Sequence, residues 1–486
     1  MKALKTTSVV LSLALLALLA FCVARRLTFP FELEWMEGAS LMHVRRLALG
    51  LPLYVRPSLD FVPFAYPPFY YYVCLPFVRL IGDGFTAIRL TSVLATTSTL
   101  TLVWLTVKRH SGNLAGMLAA GVFAGCYALS DGWLDLGRVD ALYVALLAAT
   151  WFVAADARTT RQWTITAFIG SLAFFTKQPA PLALLPLGAL LLVTERKQAI
   201  VFVTVSILVS TAVFVVLNWS TSGWYAYYVF GIPRLRMAVS GGGGRVLSFW
   251  TADLLPVGIA IIAGAYSAIR ERHWRHAALA AGCVGSSWMA RLEGGAWNNA
   301  VLPAYLAASI LFGLWLRPSR QACMLVMGIA TAQLAMLLYD PRPFTPTQAN
   351  RAAGEAIVQE LKNLPGPLLV FDHNSWSSLA GRREYAHGWA ITDVLWADQS
   401  AVSRSLQDEV RRAISSHAFG TIVKDEGQSW FDEDLGKWYD KRGTLSAGAD
   451  SYRMQSGADR TPRFVLTPNY NRINDLRESM RGQLSR

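Results

Sequence analysis

Apolar residues fall in long blocks along this chain, separated by short segments that are either basic or acidic and aromatic. The first block, 8–24, follows Lys2 and Lys5. Ten more runs lie at 86–107, 113–130, 139–157, 163–176, 180–194, 199–218, 249–269, 275–290, 298–316 and 319–339. A membrane crossing takes roughly 20 apolar residues, and most of these runs approach that length. The first block exceeds the apolar part of a signal peptide and more blocks follow, so it reads as an uncleaved helix. The pair 163–176 and 180–194 is short, with Pro179 and Pro181 between its members. The aromatic run 66–81 is too short to span and is assigned to the membrane interface. The pattern predicts a polytopic α-helical membrane protein of about eleven transmembrane helices.

With the N-terminus inside, the inner loops are Lys108-Arg109-His110, 158–161, Glu195-Arg196-Lys197, 270–275 and 317–320, and each is basic. That is the asymmetry expected of cytoplasmic loops. The outer segments are then 25–85, 131–139, 177–180, 219–248, 291–298 and the tail. This predicts a multi-pass protein of the plasma (inner) membrane with its C-terminus extracytoplasmic. The outer loop 219–248 carries Gly241 to Gly244 in a row and reads as a mobile lid or simple linker.

Beyond Asp340 the pattern changes. A helix at 347–362, a short buried strand at 367–371, a helix at 402–415 and a strand at 421–423 predict a small α/β unit. Two domains are expected: 1–339, membrane-embedded with a first outer loop at 25–85, and 340–486, soluble.

Charge sharpens this division. Of 45 Lys and Arg and 32 Asp and Glu, residues 340–486 hold 19 of each, so the net charge of +13 belongs to the membrane part. Basic, acid-poor membrane segments suit membrane lipids and phosphate-bearing substrates. Nucleic acid is excluded as a partner, because the positive charges lie between hydrophobic runs. The five cysteines form no C-x-x-C pair and the seven histidines show no ligand spacing. Nothing calls for a metal or other cofactor, although a divalent ion is compatible with the chemistry below.

Four outer motifs could carry chemistry. In the first, Phe31-Glu32-Leu33-Glu34-Trp35-Met36-Glu37, a helix beginning at about Glu34 would put Glu34 and Glu37 on one face. A carboxylate there, among apolar groups, can accept a proton from a hydroxyl; the alternative is a pair of helix-start acids favoured by the dipole. In the second, Arg138 and Asp140 open a span, where charges are costly and need partners. In the third, Lys177 precedes the helix-breaking Pro179 and either neutralises a phosphate or snorkels to the interface. In the fourth, Arg291 precedes a Gly-Gly-Ala-Trp-Asn-Asn stretch in which Asn298 enters the next span. With this orientation, all four lie on one membrane face.

Taken in order, these motifs resemble the GT-C membrane glycosyltransferases. They are an acidic first outer loop, Gly50-Leu51-Pro52-Leu53-Tyr54, Tyr66-Pro67-Pro68 with its aromatics, Arg138-Val139-Asp140, Thr176-Lys177-Gln178-Pro179 and Gly294-Gly295-Ala296-Trp297-Asn298. More narrowly, the chain resembles bacterial relatives of the protein O-mannosyltransferases and of the lipid A aminoarabinose transferases, over roughly residues 1–320. The resemblance implies a first outer loop flanked by amphipathic interfacial helices, the second at 68–81. It places the catalytic acid at Glu34, with Glu37 as its neighbour. It implies a polyprenyl-phosphate-sugar donor, with Lys177, Arg138 and Arg291 as phosphate-binding candidates and Asp140, Tyr66 and Asn298 in support. The acceptor, a glycolipid, polysaccharide or protein, would be glycosylated with inversion at the anomeric carbon. Two other readings stay open: a lipid-linked sugar flippase or transporter, and a non-catalytic polyprenyl-lipid-binding assembly protein.

Overall fold

The computed structural model describes residues 1–239, 247–292, 296–445 and 452–470. The Gly241–Gly244 run and the Gly294-Gly295 pair lie outside these residues.

Each apolar run becomes helical. In chain order come α1 (Lys2–Arg26), two short helices of the first loop, α2 (Glu37–Ala48) and α3 (Phe69–Ile81), then α4 (Phe85–Leu129), α5 (Asp140–Ala155), α6 (Thr160–Phe174), α7 (Ala180–Thr194) and α8 (Arg196–Ser220). Helices at Gly258–Arg270, Trp274–Arg291, Leu302–Trp315 and Met324–Met336 complete the bundle. α4 holds two of the predicted runs, and Gly112 (φ +88°) breaks it between them. The two halves fold back on one another, since a Cβ at Gly116 would lie 2.7 Å from the Trp104 carbonyl. α1 lies against the second half, where Ser12 Oγ donates to the Met117 carbonyl at 2.8 Å.

Among the described residues, four helical segments are long and apolar enough to cross a membrane: Lys2–Arg26, Phe85–Leu129, Arg196–Ser220 and Asn298–Trp315. Others, such as Asp140–Ala155 and Ala180–Thr194, are equally apolar but shorter. At 1.5 Å per residue a 15-residue helix reaches only about 22 Å, less than the ~30 Å hydrocarbon layer. Four spanning helices and a set of shorter apolar ones make this a membrane-embedded protein. α8 turns most of its surface outward, as suits a helix against lipid.

Of the predicted lid or linker at 219–248, the glycine run that carried that reading lies outside the described residues. The described part is helical from Trp224 to Val239, including a π-helical turn at Tyr227–Gly231. Tyr225 and Tyr228 are buried, their rings 5.2 and 6.3 Å from that of Tyr54 in the first loop.

The tail carries a four-stranded sheet with helices beside it. β1 (Leu368–Val370) pairs parallel with β2 (Thr421–Lys424), which pairs antiparallel with β4 (Phe464–Pro468), and β4 pairs antiparallel with β3 (Tyr439–Thr444). Helix Gln348–Asn363 starts where Thr347 and Asn350 form a reciprocal cap. The sheet does not close over a core of its own. Leu369, Phe371, Ile391 and Ile422 share one apolar cluster with Tyr54, Phe61, Phe64, Tyr70 and Tyr71 of the first loop. The tail therefore packs directly onto residues 25–85, and both lie on the same side of the bundle.

Candidate functional site

The two carboxylates of the first loop part company. α2 begins at Glu37, and Glu34 sits in the turn before it, its carbonyl accepting the Glu37 amide at 2.9 Å. The expectation that both share one helix face fails, because this turn sends the side chains to different partners.

Glu37 is fully buried and clasped by Arg89, with Nε to Oε1 at 2.7 Å and Nη2 to Oε2 at 2.6 Å. It also accepts the Leu33 amide at 3.0 Å and the Gly137 amide at 2.8 Å. Burial pushes its pKa up, but Arg89 and the two amides outweigh that and hold it below the usual carboxylate range. Arg89 spends its remaining donors on the carbonyls of Arg26, Phe29 and Phe31. Together these two side chains staple the first loop to α4 and to the segment before α5.

Glu34, 1% exposed, meets a single guanidinium nitrogen, Arg138 Nη1, at 3.0 Å. Burial drives its pKa up to about 7 against the pull of Arg138 and the Met36 amide. Arg138 is itself buried, with the rings of Phe64 and Tyr66 at 5.7 and 6.0 Å. His43 anchors that aromatic segment: its Nε2 accepts the Phe64 amide at 2.8 Å and its Nδ1 donates to the Ala39 carbonyl. Burial lowers the His43 pKa to about 4, so the ring is neutral, as this pairing requires.

Asp140 gathers the rest. Lys177 Nζ reaches Oδ1 at 2.6 Å, Asn299 Nδ2 reaches the same oxygen at 3.1 Å, and Trp133 Nε1 donates to Oδ2 at 2.9 Å. Burial works against the lysine's charge, but Asp140 prevails and raises its pKa. The chain break at Lys177-Gln178-Pro179 also docks on the first loop. The Gln178 amide donates to the Ala65 carbonyl, and the Phe69 amide at the start of α3 donates to the Phe175 carbonyl at 3.0 Å. Tyr66, half-buried, has its ring 6.0 Å from the Arg138 guanidinium, and its carbonyl is tied by Tyr54 Oη at 2.7 Å.

The structure thus brings Glu34, Arg138, Tyr66, Asp140 and Lys177 into one wall. Arg291 has a different set of partners: Asp253 at 2.9 Å, the Ala296 carbonyl at 3.2 Å and Asn298 Oδ1 at 3.3 Å. Among the described residues it touches the wall only through the Asn298-Asn299 step, and Asn299, not Asn298, reaches Asp140. Sequence reasoning passed over Arg89, Trp133, Asn299 and Asp253. Arg89 did carry a signal, as a lone charge in an apolar run that demands a partner.

Residues 65–221 match the family model described as dolichyl-phosphate-mannose-protein mannosyltransferase. No curated protein matches the chain in sequence. Among solved structures, the chain is similar to ArnT from Cupriavidus metallidurans bound to undecaprenyl phosphate, at 15% identity and a TM-score of 0.61, covering 93% of this chain and 97% of that one. The apo state of the same protein gives 14% identity, a TM-score of 0.57 and coverage of 88% and 92%. An Archaeoglobus fulgidus oligosaccharyltransferase in complex with zinc and sulfate gives 12%, 0.51, and coverage of 86% and 68%. The match spans nearly the whole length of ArnT, tail included. The chain therefore shares the fold of ArnT and of the Archaeoglobus fulgidus oligosaccharyltransferase, and over residues 65–221 it carries the sequence pattern of the mannosyltransferase family model.

Proposed function

We propose that this protein is a membrane glycosyltransferase. It moves a sugar from a polyprenyl-phosphate donor to an acceptor hydroxyl at the outer face of the membrane, with inversion at the anomeric carbon. The observation that carries the reading is the pairing of Glu34 with Arg138 beside Lys177. A buried carboxylate whose pKa is pushed up to about 7 pairs with Arg138, two residues before Asp140 and its partner Lys177. The donor class draws support from the family model's name and from the undecaprenyl phosphate bound by ArnT.

The acceptor oxygen forms a bond to the anomeric carbon on the face opposite the phosphate. The bond from that carbon to the phosphate oxygen breaks, and its electron pair leaves with the lipid phosphate. Glu34 takes the hydroxyl proton. The transition state has oxocarbenium character, and a leaving group held by cations needs no general acid.

The charges of the wall fit this sequence. Glu34 with Arg138 and Asp140 with Lys177 sum to zero before reaction. As Glu34 becomes neutral, Arg138 loses its counter-charge at the moment when the departing phosphate gains negative charge. The guanidinium is thereby released to the leaving group. Glu37, saturated by four donors, serves the loop's structure instead, and Arg291 is a secondary candidate for the phosphate. The positive-inside pattern of the loops supports a wall and tail on the outer side of the plasma membrane.

The test is transfer of radiolabelled sugar from polyprenyl-phosphate-sugar donors by the reconstituted protein, with the product's glycosidic configuration read by NMR. Inverted product supports the reading; retained configuration, or lipid movement without transfer, contradicts it.

A further inference from the structure

Glu32 lies two residues before Glu34 and is fully buried, and among the described residues its three side-chain partners all come from the tail. His373 Nδ1 donates at 2.9 Å, Ser375 Oγ at 2.6 Å and Trp376 Nε1 at 3.0 Å. The other His373 nitrogen stands 3.5 Å from Asp425 Oδ2. A neutral imidazole has one N–H and one lone pair. Set between two carboxylates, it would aim that lone pair at an anion, whereas the imidazolium donates to Glu32 and turns its positive charge, at 3.5 Å, toward Asp425.

The neighbours of Glu34 are gripped from the same side. The amides of Gln455 and Ser456 donate to the Leu33 carbonyl at 3.0 and 3.1 Å. Tyr452 Oη donates to the Glu32 carbonyl at 2.5 Å. Arg460, paired with Asp425 and Asp372, lies 4.2 Å over the Trp35 ring. Gly457 presses on Glu34 itself: a Cβ there would stand 3.1 Å from Glu34 Cγ.

We propose that His373 is a positioning residue for the transfer reaction: as an imidazolium clamped between Glu32 and Asp425, it fixes segment 32–35 and thereby holds the Glu34 carboxylate against Arg138. The inference rests on the reading of Glu34 as the base. It makes the tail part of the catalytic apparatus.

The groups facing His373 are Glu32 from the first loop, Asp425 beyond β2, Asp372 beyond β1, Arg460 from the last loop and His387 from the helix start beside Trp35. Burial lowers the His373 pKa, but the contacts with Asp425 and Glu32 overcome that and raise it to about 9. Burial and Asp425 bring Asp372 to about 6, and burial brings His387 down to about 3. An alkaline titration in this cluster is therefore that of His373.

The experiment compares wild type, Glu34→Gln, His373→Gln and the double variant Glu32→Gln/His373→Gln, each normalised to folded protein. Gln keeps one donor and removes the charge. His373→Gln is expected to lower kcat roughly tenfold or more, the scale of a sub-ångström misplacement of a reacting group, with donor KM nearly unchanged. The alkaline fall of kcat near pH 9 should vanish, and the double variant, with two neutral amides facing each other, should regain part of the loss. If His373→Gln does not fold, the wild-type profile decides: kcat must fall through about pH 9 while the protein stays folded, and a flat profile overturns the proposal. A dead Glu34→Gln beside a fully active His373→Gln would sink this inference alone. A Glu34→Gln as active as wild type would remove the base on which it rests.

Discussion

Lys177 reaches Asp140 at 2.6 Å across the gap between two helices, with its side chain 12% exposed. A lysine that merely snorkelled would carry its charge out to water. This one is turned inward, onto an acid that also accepts from Asn299 and Trp133. Lys177→Met keeps most of the apolar stem and deletes the charge, while Asp140 retains two donors. Donor affinity should fall roughly tenfold, the value of one charge-assisted contact, transfer should slow, and acceptor binding should hardly change. Titration of the purified variant with donor checks this; unchanged affinity and turnover would take Lys177 out of the site.

Glu37 and Arg89 should behave quite differently. Breaking a buried ion pair by removing one partner costs about 3–5 kcal/mol, and here it also frees the carbonyls of Arg26, Phe29 and Phe31. Arg89→Met should therefore lower the unfolding temperature in detergent sharply. Glu37→Gln should reduce stability more than turnover per folded molecule. Thermal unfolding and turnover, measured on the same preparations, separate the two effects.

The pH profile should have an acid limb. Glu34 can take a proton only as the carboxylate, and burial sets its pKa at about 7. Turnover should rise as pH passes upward through about 7. For His373 the stability sign is the opposite. Its folded pKa, about 9, lies above the unfolded value near 6.5, so its contribution is full below pH 6.5 and is lost as pH rises through 9. Chemical denaturation at pH 7 and pH 10 should show lower stability at the higher pH.

Since Glu32 is held by His373, Ser375 and Trp376, the first loop and the tail must share one side of the membrane. In the proposed topology the basic loops at the other end are inside, and this side is outside. Alkaline phosphatase, which needs an oxidising compartment to fold, should be active when fused after Arg486. A cytoplasmic reporter active at that position would contradict the proposed topology.

The helices were legible because apolar blocks report lipid or core exposure along the chain, and Gly112 fell where the blocks at 86–107 and 113–130 meet. Strands such as Leu368–Val370 were legible for the same reason. Which helices are long enough to span was less so, because a run such as 139–157 loses its ends to turns and leaves only Asp140–Ala155 helical. In the site, Arg138, Asp140 and Lys177 could be found because charges at span ends are rare. Their pairing could not, because Glu34 and Arg138 are 104 residues apart and no periodicity encodes their contact. The grip of the tail on Glu32, over 341 positions to His373, is still further from any local signal.

The most direct test of the account is the turnover of Glu34→Gln with a polyprenyl-phosphate-sugar donor, set beside wild type and Glu37→Gln. Gln keeps the size of Glu34 and accepts the Arg138 hydrogen bond but cannot accept the proton. Turnover should fall roughly 100-fold or more, the scale of losing a general base, with membrane insertion and folding intact and Glu37→Gln affected less. Near-normal turnover in Glu34→Gln, with loss in Glu37→Gln, would contradict the assignment of the base.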